Sequence, residues 1–150
     1  MKIKLAVSQQ RYKEVETALT KCGVEIDDSA DFILVENNKY FDRLLVRNNV
    51  SGDRVFLPVE DIVLIEAFGH TVEVHTQDNN YQISERLYKI LDALDPDKFV
   101  RISNSVIIAK NKVKSISPTF SMKFVVTMQN GQKVDVTRSY YYIFKDYFGI

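Results

Sequence analysis

The sequence lacks tryptophan, has a single cysteine among 150 residues, and contains no long apolar run. The lone Cys22 excludes an intrachain disulfide and a zinc site built from several cysteines. A helix that crosses a bilayer needs about 20 consecutive apolar residues, and the alternation of charged and apolar residues at the N-terminus predicts a strand rather than a signal peptide. We therefore expect a cytoplasmic protein that does not insert into a membrane.

The sequence also lacks the signatures of common catalytic and cofactor sites. It has no glycine-rich phosphate loop, no HExxH metal motif and no GxSxG nucleophile elbow. His70 and His75 could supply at most two metal ligands, whereas a closed metal site usually needs three or four. A hydrolase built on Ser103 or Ser105, with His70 or His75 as the base, is an alternative that no local motif supports. We expect no enzyme activity, no cofactor and no bound metal.

The net charge of zero conceals two segments of opposite charge. Residues 98–150 contain 9 Lys and Arg against 2 Asp and Glu, whereas residues 51–97 contain 3 against 10. A basic segment in a small β-rich protein is typical of proteins that bind the phosphate backbone of nucleic acids. A solvated surface on which charges happen to segregate is the alternative, and composition does not decide between the two.

The first 50 residues predict a small β-α-β segment. Residues 2–8 alternate as a strand does, and residues 32–35 form a short apolar run that is typical of a buried strand. Between them, an apolar stripe at helical spacing predicts a helix: Val15, Ala18, Leu19 and Cys22. We expect this segment to serve packing, dimerisation or contact with a partner.

Turn-forming residues at 48–53 predict a boundary between domains of residues 1–50 and 51–150. The second domain has the patterns of a mostly β protein, and we expect it to fold and bind DNA when produced alone. A strand is predicted near residues 99–108, and Asn130-Gly131 is a strong hairpin signal. The other strands are expected near residues 54–57, 62–65, 71–76, 81–83, 112–117, 122–129 and 132–138.

If the basic half of the chain contacts DNA, loops and strand ends must do so, because the clear helix near residues 85–94 is acidic and phosphates would repel it. Asn can pair with adenine and Arg with guanine at base edges in the major groove. The candidates for base contacts, all in turns or at strand ends, are His70, Asn104 and Arg138. The candidates for phosphate contacts, which position a protein without reading sequence, are Arg101, Ser103, Ser105, Lys110, Lys112, Lys114, Lys123 and Lys133.

Three ordered blocks resemble the LytTR DNA-binding domain. Residues 57–67 resemble its opening, an apolar strand followed by Asp-Ile and an apolar run that ends in Glu. Residues 99–108, Phe-Val-Arg-Ile-Ser-Asn-Ser-Val-Ile-Ile, resemble its most distinctive segment, and residues 130–140, which begin with Asn-Gly, resemble its closing hairpin. The resemblance covers residues 51–150. It implies an elongated, mostly β fold of small sheets with a short helix.

The resemblance also implies a function. Loops at one edge of this family's domain enter successive major grooves, and the matching positions here are His70, Asn104 and Arg138. It implies a sequence-specific, bacterial transcriptional regulator that binds double-stranded DNA, with a homodimer on repeated half-sites as a further expectation. Residues 1–50 match no complete receiver domain, so we expect a stand-alone, response-regulator-like protein. The alternative is a protein-interaction module that uses a LytTR-like fold.

Overall fold

The structure, a computed structural model, describes residues 1–36 and 40–150, and the chain divides into two compact units, Met1–Lys39 and Tyr40–Ile150. The mostly β class expected from the sequence is confirmed, since the described residues contain thirteen strands and three α-helices. Within those residues, no helix combines the length and the apolar character that spanning a membrane requires.

The first unit is a small parallel sheet with one helix. Its elements are β1 (Lys2–Ala6), α1 (Gln9–Lys21), β2 (Glu25–Ile26) and β3 (Phe32–Val35). The strand order is β2-β1-β3, with β1 parallel to both neighbours. Gly23 follows the helix with φ +82°, a left-handed conformation that glycine adopts without steric cost and that ends helices.

The apolar run in β3 forms a strand, but the expectation that it is buried is wrong. All four side chains are exposed, from 40% at Leu34 to 64% at Phe32. The reason is that β3 lies at the edge of the sheet, and α1 itself buries none of its residues. The described part of this unit therefore has too few elements to cover both faces of its sheet.

The second unit contains two antiparallel sheets and two α-helices. The strands of its larger sheet are β4 (Arg43–Asn48), β5 (Arg54–Pro58), β6 (Leu64–Phe68), β7 (Thr71–His75), β8 (Asn80–Ile83), β9 (Phe99–Arg101) and β10 (Val106–Ala109). Their order is β5-β4-β8-β7-β6-β10-β9. The smaller sheet has the order β11-β12-β13, from Val113–Pro118, Phe124–Met128 and Lys133–Val136. The helices are α2 (Leu87–Ala93) and α3 (Tyr141–Phe148).

Each face of the larger sheet has its own hydrophobic core. On one face, Ile65 belongs to a cluster that includes Ile90 of α2. On the other face, Leu64 and Ile108 belong to a cluster that includes the smaller sheet and Phe144 of α3. Successive residues of a strand point to opposite faces, so the apolar run at the start of β6 supplies both cores. Full burial of each such side chain stabilises the fold by about 1.5–3 kcal/mol.

The second unit begins earlier than the boundary expected between residues 50 and 51. Strand β4 was not expected from the sequence. It pairs with β5 from Arg43 to Arg47 and buries Leu44 and Val46 in the core that includes Ile90. The turn that was interpreted as a boundary joins these two strands. Asn48 Oδ1 accepts hydrogen bonds from two backbone amides within it. The same turn chemistry serves a hairpin as readily as a linker.

The continuous strand expected near residues 99–108 is also interrupted. The chain forms β9 and β10, which pair with each other around a turn at residues 102–105. Side-chain hydrogen bonds within this turn satisfy backbone groups that a continuous strand would pair with a neighbour. Within the turn, Asn104 is exposed, whereas Ile102 and Ser103 stay buried. The interruption therefore presents one candidate base contact, Asn104, to solvent.

Candidate nucleic-acid interface

Two of the turns in the larger sheet lie side by side at one of its ends. Gly69 and His70 form the turn between β6 and β7, and residues 102–105 form the turn between β9 and β10. Since β6 pairs with β10 in antiparallel fashion, the end of β6 lies beside the start of β10. The backbone N–H of Ala67 donates to the carbonyl of Ser105 at 2.8 Å, which holds the two turns together.

A third segment joins them from the smaller sheet. Arg138 follows the last strand, and the N–H of the preceding Thr137 donates to the carbonyl of Ile102 at 3.0 Å. His70, Asn104 and Arg138 are all exposed. The three residues proposed for base contacts therefore lie on segments that converge at one edge of the second unit, although 68 positions of the sequence separate the first from the last. We call this edge, formed by the 69–70 turn, the 102–105 turn and the segment around Arg138 that follows β13, the turn edge.

The turn that carries Asn104 is fixed by its own side chains. The Arg101 guanidinium donates from Nε to the carbonyl of Ser103 at 3.0 Å and from a terminal nitrogen to the carbonyl of Asn104 at 2.5 Å. Ser103 Oγ accepts from the N–H of Ser105 at 3.2 Å and lies 3.3 Å from the Ser105 hydroxyl. The turn is therefore ordered before any ligand arrives, which lowers the entropy cost of binding.

Asn104 is oriented by a residue that the sequence analysis missed. The Tyr140 hydroxyl, just before α3, donates to Asn104 Oδ1 at 3.2 Å. This contact fixes the plane of the amide, and no hydrogen bond from Nδ2 is present among the described residues. An amide held in this way can donate from Nδ2 to a base acceptor and still accept a second hydrogen bond at Oδ1.

The predicted phosphate contacts fall into different environments. Arg101 is committed to the two carbonyls of its turn, and Ser103 is buried. Lys123 lies at the turn edge, because it precedes Phe124, which pairs with Val136 near the end of β13. Of these three residues, only Lys123 is exposed.

Most of the predicted lysines lie at the opposite end of the two sheets. Lys110 follows the far end of β10 and pairs through its N–H with Lys98. The carbonyl of Lys112 accepts from the N–H of Gln129 beside the 130–131 turn, and Lys133 begins the strand after that turn. Lys114 lies near the start of β11 and is closer to the same end. The sequence shows how much positive charge a segment carries, but not which strand end carries it.

A further cation that the sequence analysis did not select lies beside His70. A groove of about 670 Å³ runs between the β6–β7 turn and the segment that precedes α2, and it is lined by both His70 and Arg86. Arg86 is exposed, and no carboxylate lies within 4.0 Å of its guanidinium among the described residues, although its backbone N–H donates to the neighbouring Glu85 carboxylate at 2.9 Å. It adds a positive charge to the turn edge at the flank of the histidine.

The two histidines do not come together. His70 lies in the turn before β7, while His75 ends that strand and is buried, with Nε2 3.5 Å from Glu73 and 3.9 Å from Glu66. Five residues of extended strand separate them by about 16 Å. Among the described residues, no group of three or more His, Cys, Asp or Glu side chains has a geometry that could hold a metal ion. The hydroxyls of Ser103 and Ser105 contact each other within their turn.

Comparison with known proteins identifies the family. A family model described as the LytTr DNA-binding domain matches residues 52–149. The chain belongs to the LytTR family. Its fold is similar to a solved LytTr DNA-binding domain from Bacillus cereus, with a TM-score of 0.68 and 24% identity over 73% of this chain and 99% of that one.

Curated relatives of this LytTR protein are longer than it is. It is 27% identical over 143 residues to the transcriptional regulatory protein LytR of Staphylococcus aureus strain bovine RF122, which covers 95% of this chain and 57% of the relative. It is 26% identical over 110 residues to the sensory transduction protein LytT of Bacillus subtilis strain 168, which covers 73% of this chain and 46% of the relative. The chain thus spans about half the length of the curated relatives it matches. The LytTR match begins after β4, although β4 belongs to the same compact unit.

Proposed function

We propose that this LytTR protein binds a specific sequence of double-stranded DNA through the turn edge and acts as a bacterial transcriptional regulator. The convergence of His70, Asn104 and Arg138 on that edge carries the proposal. Backbone hydrogen bonds join the three segments, so their relative positions do not depend on mobile side chains. The names of the relatives support the regulatory role.

Each candidate side chain has a chemistry that suits a base edge in the major groove. Asn104 can accept from adenine N6 and donate to N7, and Arg138 can donate to guanine O6 and N7. His70 can donate or accept through its ring nitrogens. Turns reach the floor of the groove more easily than α2 does, because that helix is followed by acidic residues and lies against the core that includes Ile90.

Phosphate contacts at the same edge would fix the register of the complex. We propose Arg86 and Lys123 for this role, since each flanks one of the base-contact candidates. The lysines at the opposite end of the sheets, such as Lys133, are not expected to reach the same stretch of duplex. Phosphate contacts add affinity that falls steeply with salt but carry no sequence information.

Selection from a pool of random duplexes tests the proposal. We expect the full chain to enrich one motif, and Asn104→Ala or Arg138→Ala to lose about 1–3 kcal/mol of affinity for that motif while retaining affinity for scrambled duplex. Lys133→Ala is the matched control, because it removes a cation from the opposite end. Failure to enrich any motif, or equal losses on both duplexes in variants that still melt normally, would refute base reading.

The stoichiometry of the complex tests the expected homodimer. On a duplex with two motif copies spaced by one helical turn, two protomers should bind more tightly than two independent binding events would allow, as dimeric DNA-binding proteins do. Sedimentation of the complex on one copy and on two copies measures this directly. Independent binding on both duplexes would rule out dimerisation on repeated half-sites.

A further inference from the structure

Strand β4 is fully paired on one side and largely open on the other. It pairs with β5 from Arg43 to Arg47, but with β8 only at Arg47 and Asn48. Beyond that short contact, β4 and β8 diverge. A cleft of about 760 Å³ opens between β4, the end of β8 and α2.

The direction of the backbone groups in β4 follows from the bonds at its two ends. The N–H of Asn48 donates to the carbonyl of Asp53, and the N–H of Val59 donates to the carbonyl of Asp42. Hydrogen-bonded pairs alternate along an antiparallel ladder, so the even-numbered residues of β4 bond to β5. The odd-numbered Arg43 and Leu45 therefore direct their N–H and C=O groups toward the cleft.

The cleft is closed at both ends and leaves these groups without a strand partner. At one end, the N–H of Phe41 donates to the carbonyl of Ala93 in α2 at 3.0 Å. At the other end, Arg47 pairs with Gln82. Between them, no backbone hydrogen bond from Arg43 or Leu45 toward β8 or α2 is present among the described residues. Two donors and two acceptors at strand spacing are the features that an added strand pairs with.

The side chains around the cleft carry unbalanced positive charge. Arg47 lies directly opposite Arg54 in the ladder, and no carboxylate lies within 4.0 Å of either guanidinium among the described residues. Like charges directly opposite each other destabilise a sheet. Arg43 adds a third guanidinium, 4.8 Å from the centre of the Phe56 ring. Repulsion of this kind, which lowers the stability of the fold, is common at sites that bind a ligand of opposite charge.

Apolar surface lies between these charges. Leu45 and Phe56 pair across the two strands and are 48% and 61% exposed. The lining contains two carboxylates, Asp42 and Glu85, against four cations, Arg43, Arg47, Arg54 and Lys89. Glu85 is paired with Lys89 at 4.0 Å, so the arginines outnumber the remaining carboxylate. A ligand for this surface would combine carboxylates with apolar side chains and would present backbone amide and carbonyl groups.

We propose that the cleft binds an extended acidic segment of a partner protein, which adds as a strand to the open side of β4. Its backbone pairs with Arg43 and Leu45, its carboxylates contact Arg47 and Arg54, and its apolar side chains cover Phe56. Nucleic acid fits this site less well. A phosphate backbone accepts hydrogen bonds but cannot donate to the β4 carbonyls.

The charge requirement is tested on the full chain with a fluorescein-labelled heptapeptide of alternating glutamate and valine. A matched peptide of alternating lysine and valine should bind at least tenfold more weakly in anisotropy titrations. The double variant Arg47→Gln, Arg54→Gln should lose at least tenfold in affinity for the acidic peptide. Lys133→Gln, which removes a cation elsewhere, should change it less than twofold. Equal binding of both peptides, or an equal loss in the Lys133 control, would overturn the proposal.

The strand-pairing requirement has its own test. Leu45→Pro removes an N–H that points into the cleft and leaves the bonds to β5 intact, so it should weaken the acidic peptide at least tenfold more than Leu45→Ala. If the proline variant fails to melt like the parent, the acidic peptide with alternate N-methylated amides decides, and it should bind at least tenfold more weakly. If the N-methylated peptide binds as tightly as the unmodified one, the cleft attracts the peptide by charge alone and strand pairing is refuted. The double arginine variant is also tested with duplex DNA. If it loses duplex binding but keeps peptide binding, the arginines contact DNA and the proposal is overturned.

Discussion

The hydrogen bond from Tyr140 to Asn104 gives a prediction with a definite size. Tyr140→Phe removes the hydroxyl and keeps the ring, so the packing of the segment before α3 stays the same. A neutral hydrogen bond contributes about 0.5–1.5 kcal/mol net. We therefore expect affinity for the selected duplex to fall about two- to tenfold, since 1.4 kcal/mol corresponds to a factor of ten. Affinity for scrambled duplex should not change, because the hydroxyl contacts an amide that we propose to read bases.

A double-mutant cycle distinguishes orientation of the amide from direct DNA contact. If Tyr140 acts only through Asn104, Tyr140→Phe should have no effect in a protein that already carries Asn104→Ala. The two single losses would then fail to add, which is the signature of coupled residues. Tyr142→Phe is the control. Tyr142 lies in the first turn of α3, its side chain is 67% exposed, and it makes no hydrogen bond with Asn104 in the structure.

The cycle is measured by anisotropy at one fixed salt concentration, with thermal melts of each variant. Full additivity of the two losses would refute the orienting role and indicate that Tyr140 contacts DNA itself. A loss of equal size on scrambled duplex would refute the assignment of Asn104 to base reading. If each variant that loses affinity also melts at a lower temperature than the parent, the pair has a structural role.

Three further predictions concern charge, burial and the domain boundary. If Arg86 and Lys123 each contact one phosphate, the slope of log affinity against log salt should be about −1.8, and a slope near zero in anisotropy titrations would refute backbone contact. Burial, with the charges of Asp97 and Asp95, raises the pKa of Tyr147 from 10.0 to about 12, so folding should lose stability as pH rises from 10 toward 12. Because its buried hydroxyl has no hydrogen-bond partner among the described residues, Tyr147→Phe should remove that loss and stabilise the protein by about 1 kcal/mol at neutral pH in urea titrations; destabilisation would contradict this. Residues 40–150 should fold alone, whereas residues 51–150, which lack β4, should melt earlier or aggregate; identical melting curves would show that β4 is dispensable.

Elements defined by local chemistry were predictable from the sequence. The strand at Thr71–His75 alternates, and the Asn130-Gly131 turn joins two paired strands as expected. The helix in the first unit follows its apolar spacing. In each case the residues that determine the conformation lie within the element itself, so no knowledge of distant contacts is needed.

Elements that depend on distant contacts were not predictable. Burial of the apolar run in β3 would require another layer over the sheet, and the sequence does not show whether one is present. The turn at residues 48–53 has the same chemistry whether it joins two domains or two strands. Arg101 looked like a phosphate contact because it is basic, but its guanidinium is held by the carbonyls of Ser103 and Asn104. The sequence identifies a charged group without showing its partners.

The same limit separates the base-contact candidates from the phosphate-contact candidates. Resemblance to a family matches positions within ordered motifs, and the motif positions of His70, Asn104 and Arg138 do lie on one edge. The net charge of a segment does not show where each charged residue lies in the fold. Lysines such as Lys110 and Lys133 were therefore grouped with the base-contact candidates, although both lie at the opposite end of the sheets.

The groove beside His70 and the cleft beside β4 share a wall. Residues 82–85, at the end of β8, line both spaces. A strand bound in the cleft would rest against this wall on one side, while His70 and Arg86 lie on the other. If the peptide shifts or stiffens the wall, it must change DNA affinity, and DNA must then change peptide affinity by the same factor, because coupling between two binding sites is reciprocal. Titration of the acidic peptide with and without bound duplex measures that factor, and a ratio of one would show that the wall transmits nothing between the two surfaces.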